Sequence, residues 1–310
     1  MTHTLISGLN HRATLGQLTK KYRDHTFRDA LILARRGLEL PTTTRVKGVW
    51  AVAMVRNEQD VIAESVQHLL DQGVSRVVVM DNGSTDATMS ALRAIGDERL
   101  LLGRDHETGY YQAAKMTLLS RWAGRWGAEW VVPFDADEFW SAPGGSLVEH
   151  LATCPADVAR ARIHNAFPTD EPDRWRLERN ADALRKVAFR PHPLATLNPG
   201  NHSVTRPGLI CTGIALLHLP WRSPEQLAGK LRQGAAAIAA MKERPGWGDH
   251  WQEHGSDGDQ ALAHLWDELR RGRPVKSLNW SPSGGPTAAC ETARLREWLT
   301  VIDPGGEQAT

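Results

Sequence analysis

The chain has 310 residues, enough for one large domain or a core with appendages, and 37 basic against 36 acidic residues leave a formal net charge of +1. So even a balance argues against nucleic acid or an anionic membrane surface as partner, and no apolar run approaches the ~18 residues of a membrane span. Met1–Gly8 lacks a basic start leading into an apolar stretch, and Cys154, Cys211 and Cys290 form no CxxC pair, so a cytoplasmic chain with reduced cysteines is expected.

In chain order, residues 1–45 read as a helical N-terminal extension. Leu31, Leu33 and Leu38 mix there with Arg28, Arg35 and Arg36, and Pro41–Thr44 reads as a linker. Val49–Val55 is a continuous apolar run of strand length, suited to a parallel sheet buried on both faces. Ile62, Val66, Leu69 and Leu70 recur at helical spacing, and Gly73 ends that helix as a C-cap. Val77–Met80 is a second buried strand. It ends in Asp81-Asn82-Gly83-Ser84-Thr85-Asp86, a turn in which Ser84 or Thr85 is placed to cap the next helix, marked by Met89, Leu92 and Ile95.

Leu100–Leu102 makes a third strand, residues 111–122 a helix, and Trp130–Phe134 a fourth strand. Residues 160–220 read as short strands among Pro- and Gly-rich loops. Ser223, Pro224 and Gln226 open a further helix as N-cap, N1 and N3 of a capping box. Residues 245–260 read as loop, and the C-terminus as one or two more helices.

Strands alternating with helices imply an α/β fold, a mostly parallel sheet flanked by helices, with helical N- and C-terminal extensions. Ligands of such sheets bind at the carboxyl ends of the strands. The polar clusters 56–60, 81–86 and 135–138 each follow a strand directly, so all three are expected in one crevice.

Asp135-Ala136-Asp137-Glu138 places two carboxylates two residues apart at a strand end. A hard divalent cation such as Mg²⁺ or Mn²⁺ takes one or two protein carboxylates and completes its shell with phosphates and water, which suits a nucleotide diphosphate. Asp81, at another strand end, could accept a hydrogen bond from a base N–H or a ribose hydroxyl, or serve only the turn.

Residues 46–140 resemble the donor-binding half of a family 2-type glycosyltransferase of GT-A fold. The likeness rests on Arg56-Asn57-Glu58, the DNGSTD turn at 81–86 and DADEF at 135–139. Leu216–Ser223 is similar to the histidine and capped-helix element of the subgroup with RNE or KNE, DNGSxD and DxDEF motifs. The resemblance implies a metal-dependent, inverting transfer of sugar from a nucleotide-sugar donor, with UDP the expected nucleotide. It divides the chain into an extension (1–45), a GT-A-like domain (46–222, with a nucleotide-sugar half to 140 and an acceptor half after it) and a C-terminal helical region (223–310).

The resemblance also implies residue roles. Val55, Arg56, Asn57, Glu58, Asp81, Lys115, Asp135 and Ala136 would lie along the nucleotide sugar. Asp135, Asp137 and His218 would hold Mn²⁺ or Mg²⁺. Glu138, Trp140 and Trp221 are the acceptor-side candidates, and Trp175 is a further stacking candidate. The family's acidic base is not evident, which leaves His202, Asp170 and Glu171 as candidates. The acceptor is expected to be a small molecule or an oligosaccharide.

Other classes fit less well. No Gly-rich basic loop follows the first strand as a nucleotidyltransferase wants, and no GxGxxG as a dinucleotide oxidoreductase wants. A non-catalytic nucleotide- or sugar-binding protein on the same scaffold stays open. His250-Trp251-Gln252-Glu253-His254 spells the HxxEH pattern of some zinc proteases, in a context that reads as loop.

Overall fold

The computed structural model describes residues 15–142, 144–171, 174–178, 181–241, 248–282 and 287–291. The expected helices beyond residue 291 lie outside the described residues. Helix α1 (Leu15–Arg23) leads into α2 (His25–Gly37), whose N-cap Asp24 accepts the Thr26 N–H. Strand β1 (Leu38–Glu39) follows and pairs with Arg104 and Asp105, so the N-terminal extension supplies the edge of the sheet as well as helices.

Next come β2 (Gly48–Val55), α3 (Ile62–Asp71), β3 (Arg76–Asp81), α4 (Thr88–Ala94), β4 (Leu100–Asp105), α5 (Gln112–Arg125) and β5 (Ala128–Pro133). β2 runs parallel to β3 and β5, and β3 runs parallel to β4. Both faces of β2 are buried, which is why its sequence is apolar without alternation. Val49, Ala51 and Ala53 meet Ile62, Val66 and Leu69 of α3 on one side, while Trp50 and Val52 meet Met116 and Leu119 of α5 on the other. α3 ends as expected: Gly73 at φ +87° lets Val74 N–H reach the Leu69 carbonyl and Gly73 N–H the Leu70 carbonyl.

The chain continues through β6 (Glu138–Ser141), α6 (Leu147–Thr153), β7 (Val158–Pro168), β8 (Arg174–Glu178), β9 (Arg185–Phe189), the short β10 (Thr196–Leu197) and β11 (Val204–Thr205), and β12 (Ile210–His218). Here the structure differs from the expectation of short strands. β7 has 11 residues and β12 has 9. Polar residues on β7 (Arg160, Arg162, His164, Asn165) and a bulge in β12, between Cys211 and Ile214, hide their length in the sequence.

Both strands belong to the main sheet, whose order is β1-β4-β3-β2-β5-β9-β7-β12-β6. One apolar cluster runs from Val49 to Leu219, so the two halves of 46–222 share a core.

Helices α7 (Pro224–Ala239), α8 (Asp249–His254) and α9 (Asp259–Arg270) follow, then β13 (Thr287–Glu291), which pairs with β8. The C-terminal region therefore carries a strand as well as helices. α8 occupies a segment that reads as loop because six residues are too few to show a hydrophobic period. Leu227 and Leu231 of α7 pack with Leu262, Leu265 and Leu269 of α9 beneath Phe167 and Trp221. Ser223 caps α7 by accepting the Gln226 N–H, and Gln226 answers by accepting from Arg222 N–H, one residue before the cap. Among the described residues no helix is long and apolar enough to cross a membrane.

Candidate functional site

Because β2, β3 and β5 are parallel, their carboxyl ends lie along one rim of the sheet. Val55–Asp60, Asn82 with Asp86, and Asp135–Asp137 leave those three ends and line one cavity of about 690 Å³. That convergence is the one the strand-end spacing predicts. α7 and α8 close the other side, and the tip of the loop between β10 and β11 closes the floor.

The first two loops are tied together atom by atom. Ser84 Oγ accepts Asn57 N–H at 2.9 Å, and Thr88 Oγ1 accepts Glu58 N–H at 2.8 Å. In return Asn57 Oδ1 accepts Thr85 N–H at 2.7 Å, and Gln59 Oε1 accepts Ala87 N–H at 2.8 Å. Asn57 adopts φ +55°, a left-handed conformation that asparagine tolerates better than most residues. Ser84 and Thr85 are thereby engaged with the 56–59 loop and do not cap α4, whose N-cap is Ala87 without a side-chain bond. Asp81 points into its own turn and accepts Ser84 N–H at 3.2 Å; it does not line the cavity. From this turn Asn82 and Asp86 are the residues that do.

Asp135 sits among donors. Lys186 of β9 lies 2.5 Å from it, and Gln112 and Asn201 bond its Oδ1 at 3.3 and 3.2 Å. Lys186 is also 2.7 Å from Glu138. Glu138 is fully buried and accepts from the Asp135 backbone N–H and from Trp140 Nε1. Burial pushes the Glu138 carboxyl up to about 7 against the opposing charge of Lys186. Glu138 is thus a support beneath Asp135, away from the cavity wall. Trp140 is fully buried in the core and does not reach the cavity, because four buried residues in a row on β6 form a core strand. Neither is placed to meet an acceptor. Trp175 likewise packs against the core cluster, and Trp221 reaches the wall but is buried, its Nε1 donating to the Trp280 carbonyl at 2.6 Å.

Asp137 and His218 are brought together by strand register. β6 leaves Asp137 and pairs antiparallel with β12, setting His218 opposite Glu138, and Leu219 N–H donates to the Asp137 carbonyl at 3.0 Å. His218 Nε2 then lies 3.7 Å from the Asp137 carboxylate. Its Nδ1 faces Asn165 Oδ1 at 2.9 Å. The Asn165 amide nitrogen faces the Glu178 and Asp182 carboxylates, which only accept, so Oδ1 must be the atom toward the histidine. Nδ1 therefore carries the proton and Nε2 offers a lone pair, the arrangement in which histidine binds a metal. Burial lowers the His218 pKa to about 3, so the ring is neutral.

Burial opposes ionisation of Asp137, but the charges of Lys230 and Arg222 outweigh it and hold its carboxyl well below the usual range. Lys230 of α7 is 2.7 Å from that carboxylate, and Arg222 is 3.5 Å from it. Arg222 also clasps Glu58 at 2.5 Å and Asp60 at 2.7 Å, fastening the 56–60 loop to the segment after β12. Among the described residues no three His, Cys, Asp or Glu side chains gather around one point. The protein thus offers one carboxylate and one neutral imidazole, and a divalent cation fits only if phosphate oxygens and water complete its shell. The same observation leaves His250 and His254, both buried on α8, without a third ligand for zinc.

Lys115 lines the cavity, but its ammonium is 2.5 Å from Asp105 and donates to the Glu107 and Gly109 carbonyls at 2.6 and 3.0 Å. All three donors are engaged in shaping the 105–109 loop, leaving none for a phosphate. Lys115→Met should lower folding stability in urea by roughly 3–5 kcal/mol, because Asp105 is left buried without its countercharge. Normal stability with lost nucleotide affinity would instead make Lys115 a ligand contact.

The three base candidates separate clearly. Asp170 and Glu171 are exposed and outside the cavity, Asp170 paired with Arg270 at 2.7 Å and Glu171 with Arg174 at 3.3 Å. His202 lines the cavity. Its Nδ1 is 3.0 Å from the Arg185 carbonyl, which can only accept, so Nδ1 holds the proton and Nε2 is the ring's acceptor. Burial, helped by the charge of Lys186, keeps its pKa below the usual imidazole value.

Lys186, Lys230, Arg222, Gln112 and Asn201 went unmarked in the sequence. A signal existed for two of them. Lys186 stands in the apolar run of β9, where a lysine implies a buried partner. Lys230 falls three residues after Leu227 and four before Gly234, on the flank of the buried stripe of α7.

The sequence profile of glycosyl transferase family 2 matches residues 51–210, just over half of the chain, and the chain belongs to that family. No curated protein sequence matches it. Among solved structures it is similar to glucosyl-3-phosphoglycerate synthase from Mycobacterium tuberculosis in complex with Mn²⁺, UDP and phosphoglyceric acid. That match has 18% identity over 48% of this chain and 47% of the other, with a TM-score of 0.27. The chain thus spans about half the length of that synthase. It is also similar to the mannosyltransferase PcManGT from Pyrobaculum calidifontis in complex with GDP-Man and Mn²⁺, with 16% identity over 95% of this chain and 96% of the other, and a TM-score of 0.38. Likenesses this distant do not bear on what this chain binds.

Proposed function

We propose that the chain is a metal-dependent glycosyltransferase that moves a sugar from a nucleotide-sugar donor, UDP-linked in the simplest case, to a hydroxyl or amine of a small-molecule or oligosaccharide acceptor, with inversion. The observation that carries this reading is the pairing of the Asp137 carboxylate with the neutral His218 Nε2, 3.7 Å apart on the cavity wall at the sheet's carboxyl rim. In this reading the two hold Mn²⁺ or Mg²⁺, which neutralises the departing diphosphate. Lys230 and Arg222 add positive charge beside the same oxygens.

Val55–Glu58 and Ala136 flank the nucleoside, and Asp135, fixed by Lys186, Gln112 and Asn201, accepts from the ribose. His202 Nε2 takes the acceptor proton, since the groups on the diphosphate side face the leaving group rather than the nucleophile. Incubation with a panel of nucleotide sugars and Mn²⁺ tests the donor reading without a known acceptor, because water can replace it slowly. Release of nucleoside diphosphate from one donor class, abolished by EDTA, is expected. No release from any donor and no nucleotide binding would leave the reading without support.

A further inference from the structure

A second cavity, of about 570 Å³, lies behind the first. Its walls come from α1, from the starts of β7, β9 and β12, and from the β10–β11 hairpin. Lys20 and Lys21 face it from α1, Arg160 from β7, and Arg206 from just beyond β11; among the described residues Asp24 is the only acid in its lining. Arg206 is occupied, bonding Asp157 Oδ1 at 2.8 Å and the Pro207 and Arg190 carbonyls. Lys20 and Arg160 are exposed, and among the described residues neither has a carboxylate partner. Lys21 donates to the Leu197 carbonyl at 2.8 Å and has two donors left. Burial pulls its ammonium down to about 8, and Asp24 offsets that only in part, so the cation is under-compensated. Asn198, Ser203 and Thr205 add neutral polar groups to the wall.

The hairpin is shared between the two cavities. Its stem, Asn198 with Ser203–Thr205, lines the rear cavity, while its tip, Pro199, Gly200 and His202, lines the front one. The tip turns through left-handed backbone, Gly200 at φ +71° and Asn201 at φ +56°, a conformation that glycine takes freely and asparagine tolerates. Asn201 is fully buried, donates to Asp135, and leaves its own Oδ1 without a partner. Whatever settles the stem bears on where the tip holds His202 and Asn201.

We propose that the rear cavity binds a small phosphorylated anion between Lys20, Lys21 and Arg160, and that its occupancy steadies the β10–β11 hairpin from behind. The volume lies within the range of small-molecule sites, and three cations against one acid select negative charge. Residues of the front site take no part in this binding, so it stands or falls apart from the transfer reaction.

Amide hydrogen exchange of the full chain, in EDTA with inorganic pyrophosphate as probe, tests it. Exchange across residues 196–205 should slow by roughly tenfold at about ten times the Kd, since a ligand bound only to the closed state multiplies protection by 1 + [L]/Kd. Lys20→Glu combined with Arg160→Glu, both exposed positions whose unchanged melting temperature reports intact folding, should abolish that slowing. Absence of slowing in the wild type, or its persistence in the double variant, would overturn the proposal.

Discussion

Asp137→Ala is expected to lower turnover by about 10³-fold, the effect of losing several kcal/mol of charge stabilisation from a metal at the leaving diphosphate. The expectation follows from where Asp137 sits. Among the described residues it is the one carboxylate in the cavity that faces both a neutral imidazole nitrogen, at 3.7 Å, and the ammonium of Lys230, at 2.7 Å. Asp135 cannot replace it, because donors engage both of its oxygens, Gln112 and Asn201 at Oδ1 and Lys186 at Oδ2, whereas Lys230 and Arg222 both meet Asp137 at Oδ2. His218→Ala should act in the same direction and less strongly, since a water can take the vacated position. Asp137→Ala should bind nucleoside diphosphate in Mn²⁺ no better than the wild type does in EDTA, and His218→Ala should lie between the two. Full turnover in Asp137→Ala, measured as nucleoside diphosphate released, would remove the metal from the mechanism.

His202→Ala should reduce turnover by roughly 10²–10⁴-fold, the usual contribution of general base catalysis, and leave donor affinity nearly unchanged. The wild-type rate should fall as pH drops through the His202 pKa, because protonation removes the Nε2 lone pair. Burial and Lys186 place that fall below the ordinary imidazole range, and the limb should vanish in the variant. His202→Ala with wild-type turnover and an unchanged acid limb would end the assignment. Asp170 and Glu171 would not inherit it, because both stand outside the cavity.

How much of this was legible depends on whether the contact was local. The run Val49–Val55 announces a central parallel strand because both of its faces are buried, and three polar clusters after three such strands must meet at one rim. Asp81 shows the limit of that argument. A strand-end position fixes where the Cα lies, but the nearby Ser84 N–H decided where the carboxylate turned. Trp140 and Glu138 show another. Polar and aromatic residues beside a motif read as ligand contacts, yet the short β6 buries both, and their work is to brace Asp135.

The meeting of Asp137 with His218 depends on antiparallel register between β6 and β12, and that of Asp135 with Lys186 on the insertion of β9 beside β5. Neither pairing leaves a periodic trace in one sequence. Long strands such as β7 were obscured because buried polar residues served partners from distant segments, as Asn165 serves His218.

Calorimetric titration of UDP into the wild-type chain, once with Mn²⁺ and once with EDTA, tests the central claim most directly. With one carboxylate and one imidazole from the protein, the cation should bind well only together with the diphosphate, and the diphosphate only together with the cation. Affinity in Mn²⁺ at least about tenfold above that in EDTA, a difference of ~1.4 kcal/mol, is the predicted result. Equal affinity in the two titrations would contradict the account.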